Sequence, residues 1–336
     1  MKRRDFFKNS LKGVAAVSVV GAASLEADVV KEFHISEKTV GILYDATICI
    51  GCNACVAGCK NANGDPQEIY DGEKAWDKPY DLTADTRNII RQYRDGTAQT
   101  KNQIKDGYGF IKGQCLHCLE PGCVSACPTS ALLKDDDTGV VKYFAEHCIG
   151  CRYCQVGCPY DIPKFEWDDW YPEIVKCQLC DHLLKKGELP GCCSTCPTGA
   201  SLFGPVAQLR DESKRRLLLE EKEKYTYPVF SMDSGYTLVH KAAKYIKHHY
   251  GEDELGGTQV TYLSAIPFEK LGLPIYPKKS YASVSNAKQV GVYSSMLIPV
   301  AVLGTYSFFI RKNMIAEKEE ERKLLEKSKE NGDKDA

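Results

Sequence analysis

Two stretches depart from the mixed alternation of apolar and polar positions along this chain, and each lies near an end. After Lys2-Arg3-Arg4-Asp5-Phe6-Phe7 comes a mostly apolar, small-residue run from Val14 to Ala23. A twin arginine ahead of a short, weakly hydrophobic segment is the pattern of a twin-arginine export signal, and the run is too short to cross a bilayer. Residues 1–27 are therefore expected to be a signal peptide, with small residues at Ala22, Ala23, Ser24 and Ala27 as cleavage positions. Near the other end, Val292 to Ile310 contains no charged residue. A helix over this run rises about 1.5 Å per residue and nearly covers a hydrocarbon core of roughly 30 Å. Pro299 is tolerable in lipid, Tyr293 and Tyr306 suit interfacial positions, and Arg311-Lys312 follow as a positive-inside stop. The pattern predicts a single transmembrane helix over 290–312 and a cytoplasmic tail over 313–336. The body of the protein is then on the periplasmic side of the cytoplasmic membrane.

Between the ends the pattern falls into short pieces. Asn61 to Gly113, rich in Asp, Gly, Lys and Tyr, predicts surface loops with short strands. Leu209 to Lys224 sets Leu217–Leu219 among charges and predicts a surface helix. Val260 to Leu263 predicts a short strand, and proline and glycine punctuate the chain on to Pro277.

Composition changes the picture through sulfur. The chain of 336 residues has 17 cysteines, and all of them lie between Cys49 and Cys196. Lys+Arg at 44 against Asp+Glu at 45 leaves no basic excess for a polyphosphate, so nucleic acid is not an expected partner. At 43% hydrophobic residues the chain can bury a core, which argues against disorder.

The cysteines form four groups. The first is Cys49-Ile-Gly-Cys52-Asn-Ala-Cys55-Val-Ala-Gly-Cys59, and the third, Cys148-Ile-Gly-Cys151-Arg-Tyr-Cys154-Gln-Val-Gly-Cys158-Pro159, repeats its spacing. The second, Cys115-Leu-His-Cys118-Leu-Glu-Pro-Gly-Cys123-Val-Ser-Ala-Cys127-Pro128, has two extra residues in its middle. The fourth opens with Cys177-Gln-Leu-Cys180 and, after an insertion, closes at Cys192, Cys193 and Cys196-Pro197. This is a fourfold internal repeat. Three thiolates at this spacing sit on one tight loop whose N–H groups can face cluster sulfides, while the fourth serves the other cluster of a pair. Crossed ligation then ties two repeats into one unit. The trailing proline is expected to open a helix, since its missing N–H needs no partner there.

A disulfide scaffold fits an exported cysteine-rich chain, but it leaves the odd count and the recurring Cys-Pro closures unexplained. Zinc uses two cysteine pairs per ion rather than runs of four with the last offset by three. Iron–sulfur clusters account for the spacing. In the last group either Cys192 or Cys193 could be the ligand, and the step of three residues to Cys196 selects Cys192. His117 is expected to pack or hydrogen-bond rather than ligate, and the His248-His249 pair is expected at the surface. No nucleotide loop and no nucleophile–base pair suggests a substrate site.

The four motifs in this order resemble the four-cluster ferredoxin subunits of membrane-bound oxidoreductases, among them those of formate dehydrogenase, dimethyl sulfoxide reductase, polysulfide reductase and nitrate reductase. Gly41-Ile-Leu-Tyr-Asp45, Asn88-Ile-Ile90, Gly107-Tyr108, Leu189-Pro190-Gly191-Cys192 and Gly256-Gly257-Thr258-Gln259-Val260 make the chain most similar to the iron–sulfur subunits that partner nickel-iron hydrogenases. The resemblance implies an α+β fold: a tandem bacterial-ferredoxin-like domain for four 4Fe-4S clusters at 40–210, with an insertion at 61–113. A periplasmic docking arm at 211–288 then leads to the C-terminal transmembrane helix. It implies one cluster on Cys49, Cys52, Cys55 and Cys196, and a second on Cys59, Cys177, Cys180 and Cys192. A third would use Cys115, Cys118, Cys123 and Cys158, and a fourth Cys127, Cys148, Cys151 and Cys154. Some relatives have Trp in place of Cys151 and hold three irons; this chain keeps the cysteine. The implied role is non-catalytic electron transfer. The implied partners are the small and large subunits of a nickel-iron hydrogenase and a quinone-reactive, multi-span membrane subunit. The alternative implied partner is a molybdenum oxidoreductase.

Overall fold

The strand Val40–Asp45 (β1) is buried on both faces, with Ile42, Leu43, Tyr44 and Asp45 all at most 1% exposed. In the computed structural model, which describes residues 35–67 and 81–332, it is the centre of a three-stranded sheet. The expected signal at 1–27 lies outside the described residues. Ser201–Pro205 (β9) runs antiparallel to β1 with Phe203 opposite Ile42, and Val260–Leu263 (β12) runs parallel with Val260 opposite Ile42. Successive side chains on a strand face opposite ways. Ile42 and Tyr44 thus enter the core that holds Cys49, Cys55, Cys59 and Cys196, while Leu43 packs with Leu202, Leu209 and Leu263. The sheet joins chain that precedes the first motif to chain that follows the last.

Helix α1 (Ala54–Asn63) carries Cys55 and Cys59, and ends on Gly64 in the left-handed conformation. The next segment differs from expectation. Asn88–Arg94 (β2) pairs antiparallel with Gly107–Gln114 (β4) along its whole length, from Asn88 opposite Gln114 to Arg94 opposite Tyr108, and Thr100–Lys101 (β3) flanks β4. These are core strands rather than surface loops, since Ile89, Ile90, Phe110 and Ile111 are buried. Ile89 packs with Cys115 and Cys177, and Ile90 with Cys49 and Cys55. A strand covered on both faces has no polar alternation to betray it.

The second and third motifs bracket the hairpin of Leu132–Lys134 (β5) and Val141–Tyr143 (β6), and carry the one-turn helices α2 (Gly122–Ser125) and α3 (Tyr153–Val156). Lys164–Phe165 (β7) and Ile174–Val175 (β8) lead to the fourth motif, whose short helices are α4 (Asp181–Leu184) and α5 (Gly191–Ser194).

The expected surface helix at 209–224 is α6, Val206–Leu218; it stops earlier because Leu219 is extended and Lys224–Pro228 (β10) pairs with Thr237–Lys241 (β11). Its buried side sets Glu212, Ser213 and Arg216 beside Val206 and Leu209. Arg216, fully buried, bonds Glu212 at 2.8 Å and Asp45 at 3.0 Å, and lies over the Tyr227 ring. The predicted strand at Val260–Leu263 is β12. Residues of the expected docking arm supply strands β10, β11 and β12 to the unit that extends to Val284.

A second unit contains the helix from Ser285 onward. Helix α7, Tyr281–Gly332, runs through Pro299. Among the described residues no helix is long and apolar enough to cross a membrane. Side chains at 285–298, which include the first part of the expected span, lie outside the described residues.

Candidate iron–sulfur sites

Each Cys-x-x-Cys turn places its residue before the second cysteine in the left-handed region: Gly51 at φ 69°, His117 at 48°, Gly150 at 69° and Leu179 at 52°. Two of the four are glycines, for which this costs little, whereas histidine and leucine adopt it only when their surroundings impose it. The repeat read from cysteine spacing is therefore also a repeat of backbone shape. The turn aims N–H groups at sulfur: Gly51 N–H donates to Cys49 Sγ and Leu179 N–H to Cys177 Sγ, both at 3.4 Å. Ser201 N–H donates to Cys196 Sγ at 3.4 Å, and Asn63 Nδ2 to Cys59 Sγ at 3.5 Å.

The fold gathers the sixteen predicted residues from distant turns. Cys49, Cys52, Cys55 and Cys196 line one cavity with Tyr44 and Ile90. Cys59, Cys177, Cys180 and Cys192 line a second with Asn63 and Arg87. Cys118 has Cys158, Cys115 and Cys123 as its nearest like-charged neighbours. Cys154 has Cys148, Cys127 and Cys151. Cys193 lines neither cavity and is fully buried.

Close helix crossings make these gatherings possible. A Cβ on Gly58 would lie 2.5 Å from the Gly191 carbonyl oxygen, and one on Gly122 would lie 2.4 Å from that of Gly157. Each glycine sits immediately before a cysteine, so α1 meets α5 and α2 meets α3 at backbone contact, joining the first motif to the fourth and the second to the third. The sets are neighbours in order. Cys55 of the first faces Cys192 of the second, Cys177 of the second shares a core with Cys115 of the third, and Cys123 of the third shares one with Cys154 of the fourth. The two outer sets reach the surface: Cys52 and Cys151 are exposed, and Ile50 and Ile149 beside them are 53% and 66% exposed. In the inner sets the matching Leu116 is 2% exposed. Exposed Trp167 stands beside the fourth set, with the Arg152 guanidinium 4.6 Å from its ring and Phe165 between it and the core of Cys148 and Cys154.

The donor chemistry fits a cationic cluster. All 17 cysteines are free thiols. Burial, and then other charges, push Cys123 and Cys177 up to about 12, so these thiols deprotonate near neutral pH only when iron replaces the proton. No three His, Cys, Asp or Glu among the described residues converge as they would on a single ion. Thiolates on one zinc would stand about 4 Å apart, whereas the four ligands of a four-iron cluster each bind a different iron. His117 gives a second test. Its Nδ1 accepts from the Val141 N–H at 3.0 Å, and burial and Lys176 hold the ring neutral, so the proton is on Nε2. Among the described residues that buried N–H has no partner, and it belongs to the residue beside Cys118. A sulfide-bearing group at the third set would supply the acceptor.

Cys192 and Cys193 differ in kind. Their sulfurs are 3.9 Å apart. The Cys193 thiol, and then the charge of Lys112, hold Cys192 below the usual thiol range despite burial, while burial pushes Cys193 up. These opposite directions fit Cys192 as the ligand and Cys193 as a neutral donor to it.

Two expectations are corrected. Pro128, Pro159 and Pro197 open turns rather than helices, because each short helix comes before its Cys-Pro pair and not after it. His249 is not at the surface: it is 5% exposed, with Nδ1 3.1 Å from Ser213 Oγ, because α6 packs over it. Sequence inspection also passed over Lys112, a buried lysine whose only sign was its place in a strand of otherwise apolar and small residues.

Residues 107–206 match the 4Fe-4S dicluster domain family. The hydrogenase-2 operon protein HybA of Escherichia coli O157:H7 is 40% identical over 317 residues, 93% of this chain and 96% of that protein. The nitrate-inducible formate dehydrogenase iron-sulfur subunit of Escherichia coli K12 is 32% identical over 64% of this chain and 70% of its own length. The formate dehydrogenase iron-sulfur subunit of Haemophilus influenzae is 31% identical over 63% and 66%. With 4Fe-4S clusters as its cofactors, the chain belongs to the family of electron-transfer iron–sulfur subunits that includes HybA and the iron–sulfur subunits of formate dehydrogenase.

Proposed function

We propose that each of the four cysteine sets holds one 4Fe-4S cluster, and that the chain carries electrons between a nickel-iron hydrogenase and a quinone-reactive membrane subunit. Bound clusters would supply reversible one-electron sites. The residues do the rest. Buried Ile, Leu and Tyr side chains exclude water from the inner sets, N–H groups and Asn63 stabilise sulfur charge, and the paired helices hold neighbouring sets at fixed spacing. The observation that carries this reading is the order of the sets, two inner ones buried between two that reach the surface at Cys52 and Cys151. A conductor needs that order and a substrate site does not.

Similarity to a hydrogenase-2 operon protein over 93% of the chain favours a hydrogenase partner, with its small subunit making the contact, over a molybdenum enzyme, since the formate dehydrogenase subunits match only about two thirds. The twin arginine and Arg311-Lys312 support a body on the periplasmic side and a cytoplasmic C-terminus. In support of a membrane anchor, residues 299–310 of α7 carry no charge and expose Val300, Leu303 and Phe308 at 66%, 63% and 65%.

Purification without oxygen tests the reading. About 16 irons per chain with matching acid-labile sulfide are expected; an iron-free, disulfide-bonded chain would end it. Copurification of a nickel-containing rather than a molybdenum-containing subunit is expected. Truncation after Lys288 is expected to release the complex from membranes, and unchanged attachment would remove the anchor from the proposal.

A further inference from the structure

Lys112, on β4, is 0% exposed. Its Nζ donates to Ser201 Oγ at 3.2 Å, and among the described residues no carboxylate lies within ion-pair distance of it. Burying an ammonium ion with one hydroxyl as its oxygen partner is costly unless an anion faces it. The groups that face it are sulfurs: Cys192, Cys55 and Cys193, in that order of influence. Cys55 belongs to the first set and Cys192 to the second. Lys112 therefore reaches from the insertion sheet into the seam where α1 meets α5, between two sites whose thiolate-ligated clusters are net anions. The third set has a comparable pair, Lys134 and Lys176, acting on Cys123 and Cys118 from other elements.

We infer that Lys112 is a positioning residue that sets the reduction potentials of the first and second sites together, holding both higher than a neutral side chain would. The sign follows from charge. Adding an electron makes a cluster more negative, a nearby fixed cation favours that state more than the oxidised one, and the midpoint rises. Low dielectric around a fully buried ammonium strengthens the effect, and no solvent screens it. Because the cation sits between two sites, it moves them as a pair and leaves the potential step between them little changed. The insertion at 61–113 thereby contributes to tuning as well as to the core.

This inference rests on the ligation proposed above, and the test separates the two. The intact complex, purified without oxygen, is titrated with redox mediators and followed by electron paramagnetic resonance in the wild type, Lys112→Met, Lys112→Gln and Lys112→Arg. Both neutral variants are expected to shift two of the four midpoints to lower potential and leave two unmoved. Lys112→Arg is expected to keep all four near their wild-type values. Combining Lys112→Met with Cys52→Ser, which marks the first site, assigns the shifts. Four unmoved midpoints, four equal shifts, or a shift in Lys112→Arg as large as in Lys112→Met would each overturn the inference. If the neutral variants lose iron while Lys112→Arg retains it, a cation is needed to hold the two anionic sites, which supports the inference. Iron loss in all three would make Lys112 a packing residue and overturn it. An iron-free wild type would instead remove the ligation reading itself.

Discussion

Neighbouring Cys192 and Cys193 show how little chemical identity says about role. Both are buried thiols on one short helix, yet one lines the second cavity beside Cys59, Cys177 and Cys180 while the other lines none. Cys192→Ser is expected to lose one cluster, read as about four fewer irons per chain. Cys193→Ser is expected to keep all four, because a hydroxyl still donates to the neighbouring sulfur. A missing cluster in Cys193→Ser, seen by electron paramagnetic resonance, would reverse the assignment. His117 differs from both: it occupies a left-handed position where the equivalent turns of the first and third motifs have glycine, and the hydrogen bond from Val141 holds its ring in place there.

At the scale of elements, stability depends on contacts that leave no room for a side chain. Gly58→Ala would place a methyl group 2.4 Å from Thr195 Oγ1 and 2.5 Å from the Gly191 oxygen. Overpacking of this kind costs about 1–3 kcal/mol, and here it pushes apart α1 and α5. The expected result is a lower unfolding midpoint with loss of iron from the first two sites, whereas Gly304→Ala, with nothing within 4 Å, is expected to change neither. The seam between β1 and α6 adds a polar network to its apolar contact of Leu43 with Leu209. Arg216→Met leaves the buried Asp45 carboxylate without its cation and Glu212 with Arg215 alone, a loss of about 3–5 kcal/mol. Denaturant unfolding of the variant measures it, and a change within experimental error would mean the network is replaceable by packing.

Within the unit that extends to Val284, the buried interior is organised around the four sets, and on the proposed reading the two surface-reaching ends are where partners would meet the chain. Ile149 and Val156, at 66% and 89% exposed, flank the fourth set, and Ile50 flanks the first. Substituting Ile149→Glu is expected to slow electron exchange at one end by about tenfold or more through a lost apolar contact and a desolvated charge, with iron content unchanged. Ile50→Glu is expected to slow exchange at the other end. Measuring reduction of the chain by its donor and its oxidation by its acceptor separately distinguishes them. If each substitution slows both half-reactions equally, the ends are not separate docking points.

Sequence by itself was sufficient for what depends on short-range spacing. Cys-x2-Cys turns are local objects, so the metal-binding character and the fourfold repeat could be read from intervals alone, and the same intervals single out Cys192 over Cys193 as the proposed ligand. Val260–Leu263 was legible too, as an apolar run of strand length between turn residues. Tertiary structure decided what depends on which distant segments meet. Short strands were expected in the insertion, but the burial of β2 and β4 was hidden because both of their faces are covered, which removes the alternation that marks a half-exposed strand. His249 and Lys112 were hidden because burial of a polar side chain is a property of its neighbours, and no interval along the chain records that α6 covers one and that α1 and α5 enclose the other. The order of the sets, their two exposed ends and the cation between the first pair exist only once β1 has been joined to strands from the far side of the last motif. Contact between segments more than a hundred residues apart is set by the packing of the whole chain.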